Sequence, residues 1–317
     1  MIRKGACMKK EKTLRPTTPL NVRMRQHWQL YLLLFPAILY LIIFNYAPLY
    51  GLIIAFKDYK PYLGYWDSPF TGFSNFIRFF NSNKFGEVLP NTIILSFYSL
   101  LAGFPFPIIL ALCLNYIPGL KLKKFVQNIT YAPYFISTVV LVSMLSIFFS
   151  QSSGLVNNVR EALGMDRILY MGSSSAFRHL YVWSGVWQTV GWNSIIYFAS
   201  LANIDESLHE AAVVDGASIW QRIRYIDIPS IKPVIVTLFI MNTGKLMSIG
   251  FEKAYLMQNS LNLGASEIIS TYVYKIGLLN QQYSYSTAIN LFNSIVNLIL
   301  MFSVNAISKK LSDTSIW

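Results

Sequence analysis

The residues of this chain whose types and spacing could do chemistry lie inside apolar sequence. Lys245 stands near the middle of a run from Val234 to Met257, where helical spacing puts Met241, Lys245, Ser248 and Glu252 on one face and Asn242 beside it. A charge placed in a bilayer is costly and marks a solute or ion path by default. Two readings stand: a charge relay for an ion-driven transporter built on Lys245 and Glu252, or a structural ion pair with Glu252 or a neighbouring helix. A second set, Trp183, Trp187, Trp192, Asn193 and Tyr197, falls between Leu180 and Ala202. Aromatic faces bind the C–H surface of sugars and amides meet their hydroxyls, so Trp187, Asn193 and Tyr197 are candidate solute contacts. An aromatic belt at a membrane interface accounts equally for Trp183 and Trp187.

Other chemistries lack their residues. No G-x-x-x-x-G-K-[ST] loop is present to cradle a phosphate, so the sequence offers no ATP site. No Ser/His/Asp set, paired acid or metal-ligand spacing is visible, and His27, His179 and His209 are scattered and read as surface residues. Cys7 in the basic tail and Cys113 inside an apolar run make no disulfide framework; one exposed and one buried thiol are expected.

The elements that must hold these residues are membrane spans. With 54% hydrophobic and only 13% charged residues in 317, the chain is too apolar for an ordinary soluble domain. A bilayer core takes about 20 mostly apolar residues per helix. Six stretches qualify: Trp28 to Ala55, Leu89 to Tyr116, Phe125 to Phe149, Leu180 to Ala202, Val234 to Met257 and Ala288 to Ile307. The first is too long for a signal peptide and no small-residue cleavage site follows it; Met8 offers a second start position. Pro36, Pro48, Pro105, Pro107 and Pro133 interrupt the spans, which suits packed helices or the lining of a cavity.

Sixteen of the 26 Lys and Arg residues fall on one side: the tail before Trp28, residues 121–124, residues 222–232, and Lys309 with Lys310. That bias marks the cytoplasm and puts both termini there. The net charge of +12 is then a topology signal, and no motif for nucleic acid accompanies it.

One cytoplasmic loop, residues 204–230, is unlike the rest. Asp205 can cap a helix from Glu206 to Val214, and Gly216 can close it in a left-handed conformation. Ser218 with Gln221 is a capping-box pattern for a second helix through Ile226, which Pro229 and Pro233 should stop. Ala211 and Ala212 give a smooth surface that a large partner can approach, with Glu210 and Asp215 at its edges. Either this is a ball for a socket on a soluble protein or an interfacial helix without a partner.

Here the residues carry a resemblance. "EAAVVDGAS" from Glu210, with Ile228-Pro229 beyond, resembles the EAA loop of permease subunits of bacterial ABC importers. "FTGFSNFIRFF" at Phe70 to Phe80, "LPNTIILS" from Leu89 and "YAPLYGLIIAFKDYKP" from Tyr46 are similar to the sugar permeases, in particular those importing oligosaccharides derived from polysaccharides. The likeness runs from Trp28 onward; Ile228 replaces the usual Leu. It implies an all-α integral membrane chain with six transmembrane helices in the type I ABC importer permease fold. Residues 1–27 would be a basic tail, 28–88 the first span and an amphipathic outer segment, 89–308 the core, and 309–317 a cytoplasmic tail.

The resemblance further implies that Glu206, Glu210, Ala211, Ala212, Asp215, Gly216 and Pro229 couple the chain to a separate ATPase. That subunit, present in two copies, would bind ATP and Mg; this chain would hold no cofactor and no metal. A second permease subunit, a solute-binding protein and membrane lipid complete the expected partners. The short helix bearing Phe73, Phe76, Phe79 and Phe80 should lie flat on the membrane. Residues 151–178 and 259–285 should form the outer surface that receives the solute-binding protein.

Overall fold

The computed structural model describes Val22, Gln26 and residues 28–312. Most of the basic N-terminal tail, with Cys7, Met8 and His27, and residues 313–317 lie outside the described residues. The chain divides into two units, Met1–Leu52 and Ile53–Trp317.

The first unit carries helix α1 (Trp28–Leu41), which keeps Pro36 inside it and buries none of its side chains. It widens to a π turn at Ile42–Tyr46 and tightens to 3-10 winding at Ala47–Phe56. In the wide turn the Ala47 N–H reaches back to the Ile42 carbonyl, next to Pro48, which has no N–H to give. The run Trp28–Phe56 is long and apolar enough to cross a membrane.

In the second unit, residues 55–80 form a small knot. Asn75 of α2 (Ser74–Phe80) donates to the carbonyls of Ala55 and Lys57, and the buried Lys57 ammonium donates to those of Tyr65 and Trp66. Phe79 is only 1% exposed, packed among Val88, Tyr285 and Ile289. Of the four phenylalanines expected on one apolar face, Phe79 is thus turned into the protein, while Phe73 and Phe80 stay exposed. Edge-to-face stacking of Phe79, Phe80, Phe85 and Phe292 docks α2 on the last helix.

Helices α3 (Asn83–Gly103) and α4 (Pro105–Tyr116) make one span-length run, interrupted at Phe104. Pro105 and Pro107 fall in the first turn of α4, where their missing N–H groups cost no bond. Cys113, expected to be buried, is exposed on α4. The third apolar stretch is not one straight crossing: α5 (Leu120–Tyr131) with the 3-10 turn Ala132–Phe135 meets α6 (Thr138–Phe148) at 97°. Pro133 lies in that turn and Ser137 caps α6, so a break is written into both sides of the bend.

Helix α7 (Ser174–Leu201) packs against α3, α4 and α5. A side chain on Gly191 would put its Cβ 2.0 Å from the Thr130 carbonyl oxygen, so only glycine lets α7 and α5 come this close. Helices α8 (Glu206–Val214) and α9 (Ile219–Arg222) follow, and a π turn at Ile223–Asp227 leads into α10 (Ile228–Thr243). The fifth apolar stretch is also broken: α10 ends at Thr243, and α11 (Phe251–Met257) begins after a non-helical segment. Asn293 and Asn297 take over the freed backbone. Asn297 accepts from the Met247 N–H at 2.8 Å and Asn293 donates to the Met247 carbonyl at 3.1 Å. Both belong to α13 (Tyr283–Ser312), which α12 (Ile269–Tyr274) precedes.

Among the described residues there is no strand, only an isolated bridge between Lys57 and Phe70. Three helices, Trp28–Phe56, Asn83–Tyr116 and Tyr283–Lys310, pass as membrane spans on length and composition, or four if the bent pair is one span. The other two expected spans fall short for physical reasons. Helix α7 is long enough but carries Arg178, His179, Gln188 and Asn193, and the fifth stretch breaks after Thr243.

Candidate functional site

Two features stand out in the second unit: a helical elbow at residues 205–230 and a cavity with polar side chains in a largely apolar wall. The elbow forms as its local signals direct. Asp205 Oδ1 accepts from the Ser207 N–H at 3.0 Å, and that hydrogen bond holds its carboxyl below the usual range. Gly216 has φ +78°, with the Gly216 N–H on the Val213 carbonyl and the Ala217 N–H on that of Ala212. Ser218 and Gln221 close a reciprocal capping box. The expectation that Pro229 and Pro233 end the second helix is corrected. The π turn absorbs Pro229 by bonding the Ile228 N–H to the Ile223 carbonyl, and Pro233 sits inside α10. One unbroken helical path therefore runs from Ile219 to Thr243.

Glu206, Glu210, Ala211, Asp215, Gly216 and Pro229 are all exposed and Ala212 half-buried, and α8 buries none of its side chains. Sequence reasoning missed the apolar part of this surface: Val214 is 87% and Trp220 80% exposed, with Leu208 and Val213 beside them. The signal was available, since large apolar residues in a polar loop need a partner to cover them. His209 was misread as a surface residue. Its side chain is half-buried, 19% exposed, with Nε2 3.3 Å from Asp227 Oδ1.

The cavity, about 610 Å³, lies among α3, α7, α10 and the break after α10. It brings together Asn193, Tyr197, Asn242 and Lys245 of the expected set. Trp192, named in the aromatic set of that stretch, lines it as well, together with Ser96, Ser99 and Thr189, which were not foreseen. The hydroxyl oxygens of Ser96 and Ser99 are buried behind the wall and have no hydrogen-bond partner among the described residues. Trp192 stacks flat on Tyr134, with ring centroids 4.4 Å apart. Lys245 is the one charged residue among those lining the cavity.

Three expected members are elsewhere. Trp187 faces a separate apolar groove with Trp183 and His179. Met241 is 49% exposed and outside the lining. Glu252 is exposed on α11. Helical spacing failed because the helix ends at Thr243, before Lys245, and among the described residues no ion pair joins Lys245 to Glu252. The relay, and the ion-driven transporter built on it, lose their geometry.

The loops expected on the outer surface are tied together: Asn259 and Asn262 both donate to the Met171 carbonyl, at 2.6 and 2.8 Å. Beside them the nearly buried Glu267 carboxylate receives Lys84 and Lys275, each at 2.9 Å. Burial alone would raise the Glu267 carboxyl; the two lysines outweigh it and hold it below the ordinary range.

Apolar helices of span length, a cavity with amide, hydroxyl and ammonium side chains in its wall, and a projecting helical elbow define a membrane-embedded transport component. The chain belongs to the family of binding-protein-dependent transport system inner membrane components, whose pattern matches residues 103–313 and so takes in elbow and most of the cavity. It is thus the permease subunit of an ABC-type importer.

It is 42% identical over 286 residues to Protein LplB of Bacillus subtilis (strain 168), covering 90% of each chain. With the polygalacturonan/rhamnogalacturonan transport system permease protein YteP of the same organism it shares 39% over 309 residues, 98% of this chain and 95% of the relative. Among solved structures it resembles a bacterial alginate ABC transporter in complex with an alginate pentasaccharide-bound periplasmic protein. The TM-score there is 0.86 at 36% identity, over 94% of this chain and 99% of that one.

Proposed function

We propose that this chain is one half of a two-permease pore that imports an oligosaccharide into the cytoplasm by alternating access, with six membrane crossings and both termini inside. The complex holds two copies of a separate ATPase that bind the ATP and Mg, and one of them docks on this chain's elbow through Glu206, Glu210, Ala211, Ala212, Asp215, Gly216 and Pro229. An extracytoplasmic binding protein delivers the sugar to the loops at 151–178 and 259–285, and lipid covers the apolar helix faces. Residues 1–27 and 309–317 are the tails, and 28–88 precede a core at 89–308.

The observation that carries this reading is the single helical path from Ile219 to Thr243. It bears the elbow at one end and Asn242 of the cavity at the other, a reach of roughly 35 Å at 1.5 Å per residue. A push on the elbow is thereby delivered to the residues that hold the solute. Amide, hydroxyl and indole groups suit a sugar, and the relatives that carry polygalacturonan, rhamnogalacturonan and alginate support that cargo class. Lys245 further suits a carboxylate-bearing sugar.

The test is uptake of oligogalacturonides into vesicles holding both permeases, the ATPase and the binding protein. Uptake that requires ATP and falls at least about tenfold with Asn193→Ala or Lys245→Ala supports the reading. Uptake that survives without ATP hydrolysis overturns it.

A further inference from the structure

The Asp227 carboxylate is fully buried, in the wide turn two residues before Pro229. A charge so placed needs partners, and they arrive from two other parts of the chain. The Tyr116 hydroxyl, from the last residue of α4, donates to Oδ2 at 2.7 Å. His209 Nε2, from the middle of α8, lies 3.3 Å from Oδ1, at ion-pair distance but without hydrogen-bond geometry, and Oδ1 has no hydrogen-bond partner among the described residues. The Arg222 guanidinium covers the Tyr116 ring at 5.2 Å. Below this cluster, Ile223 and Ile204 pack on Ala111, Leu112, Tyr197 and Ile231, and Tyr197 also lines the cavity. No side chain of α8 is fully buried, so the helix has little apolar packing to fix its pose, and the contact of the half-buried His209 with Asp227 carries that task.

We propose that His209, Asp227 and Tyr116 form the polar joint that hands displacement of the elbow to α4 and α10, so that breaking it uncouples nucleotide turnover from movement at the cavity without detaching the ATPase. His209 and Tyr116 are positioning residues, and Asp227 is the anchor both hold. The proposal rests on the reading of the elbow as the ATPase dock.

The test uses the full complex in proteoliposomes, with Cys7 and Cys113 replaced by Ser and a reporter Leu246→Cys in the cavity wall. Labelling of the reporter by an impermeant maleimide is measured before and after trapping with ATP and vanadate, which needs no knowledge of the cargo. Retention of the ATPase on the tagged permease is measured in parallel. In the parent, trapping is expected to change the labelling rate by about tenfold or more. With His209→Ala or Asp227→Asn, the ATPase should stay bound and trap nucleotide, while the change in labelling falls to about twofold or less. His209→Gln, whose amide can donate to Asp227, should restore it; a purely structural defect would not separate trapping from labelling in this way.

Tyr116→Phe, which deletes one oxygen, supplies the same comparison if the other variants fail to reach the membrane. A parental labelling response in all these variants overturns the joint and leaves the dock intact. Loss of the ATPase from the variants alone also overturns it, since the cluster would then only shape the dock. Failure of the parental chain to retain the ATPase overturns the docking reading and this proposal with it.

Discussion

Tyr134 and Trp192 lie face to face, their ring planes within 4° and their centroids 4.4 Å apart. Tyr134 belongs to the bend between α5 and α6, and Trp192 is a wall of the cavity in α7. The bend therefore packs directly on an indole that lines the cavity. A stacked pair contributes about 0.5–1.5 kcal/mol beyond its area. Tyr134→Leu should leave the protein folded but raise the KM for sugar uptake several-fold, with a shifted tryptophan emission. An unchanged KM would show that the stack is packing alone.

Gly216 holds a positive φ with open space around the position of its absent Cβ, so a substitution there meets a backbone cost and no clash. Gly216→Ala should cost about 1–2 kcal/mol locally and lower uptake only modestly. Gly216→Pro cannot take this φ at all and should abolish uptake and ATPase stimulation while the protein still reaches the membrane. Normal transport by the proline variant would remove the elbow from the mechanism.

Val214 and Trp220 project from the elbow, 87% and 80% exposed. Changing them should alter the stability of the isolated permease by no more than about 0.5 kcal/mol. Val214→Asp and Trp220→Ala should nevertheless weaken recovery of the ATPase with the tagged permease by at least about tenfold, the usual weight of a buried apolar anchor in an interface. Undiminished recovery with both changes would place the dock elsewhere.

Glu267 is held ionised by Lys84 and Lys275 in a nearly buried site. Its folded-state value is depressed, so its contribution is present above the ordinary glutamate value of 4.5 and is lost as the pH falls through the lower folded value. Glu267→Gln should cost roughly 2–3 kcal/mol at pH 7, less than a wholly buried pair because the lysines are 40% and 28% exposed. Thermal unfolding in detergent from pH 8 to 3 checks this. The gap between the two proteins should hold above the ordinary glutamate value of 4.5 and shrink as the pH falls below it. A gap that is flat to pH 3 would mean that the carboxylate's charge is not what stabilises the site.

Much of the elbow was legible before any coordinates, because its determinants are local. A cap at Asp205, a left-handed glycine at 216 and a box between Ser218 and Gln221 each act within a few residues, and each formed as read. The apolar composition and the long hydrophobic runs were equally plain, since transfer from water depends on the side chains themselves. What the sequence could not decide was where a helical face ends. The periodicity that joined Met241, Lys245 and Glu252 presumed a helix, while Asn293 and Asn297, some 50 residues away, supply the bonds that let it break after Thr243. The same limit hid the burial of Asp227 and the approach of His209 to it. A buried charge survives only where distant groups converge on it, and which groups converge is a property of the packed bundle, not of any stretch of chain.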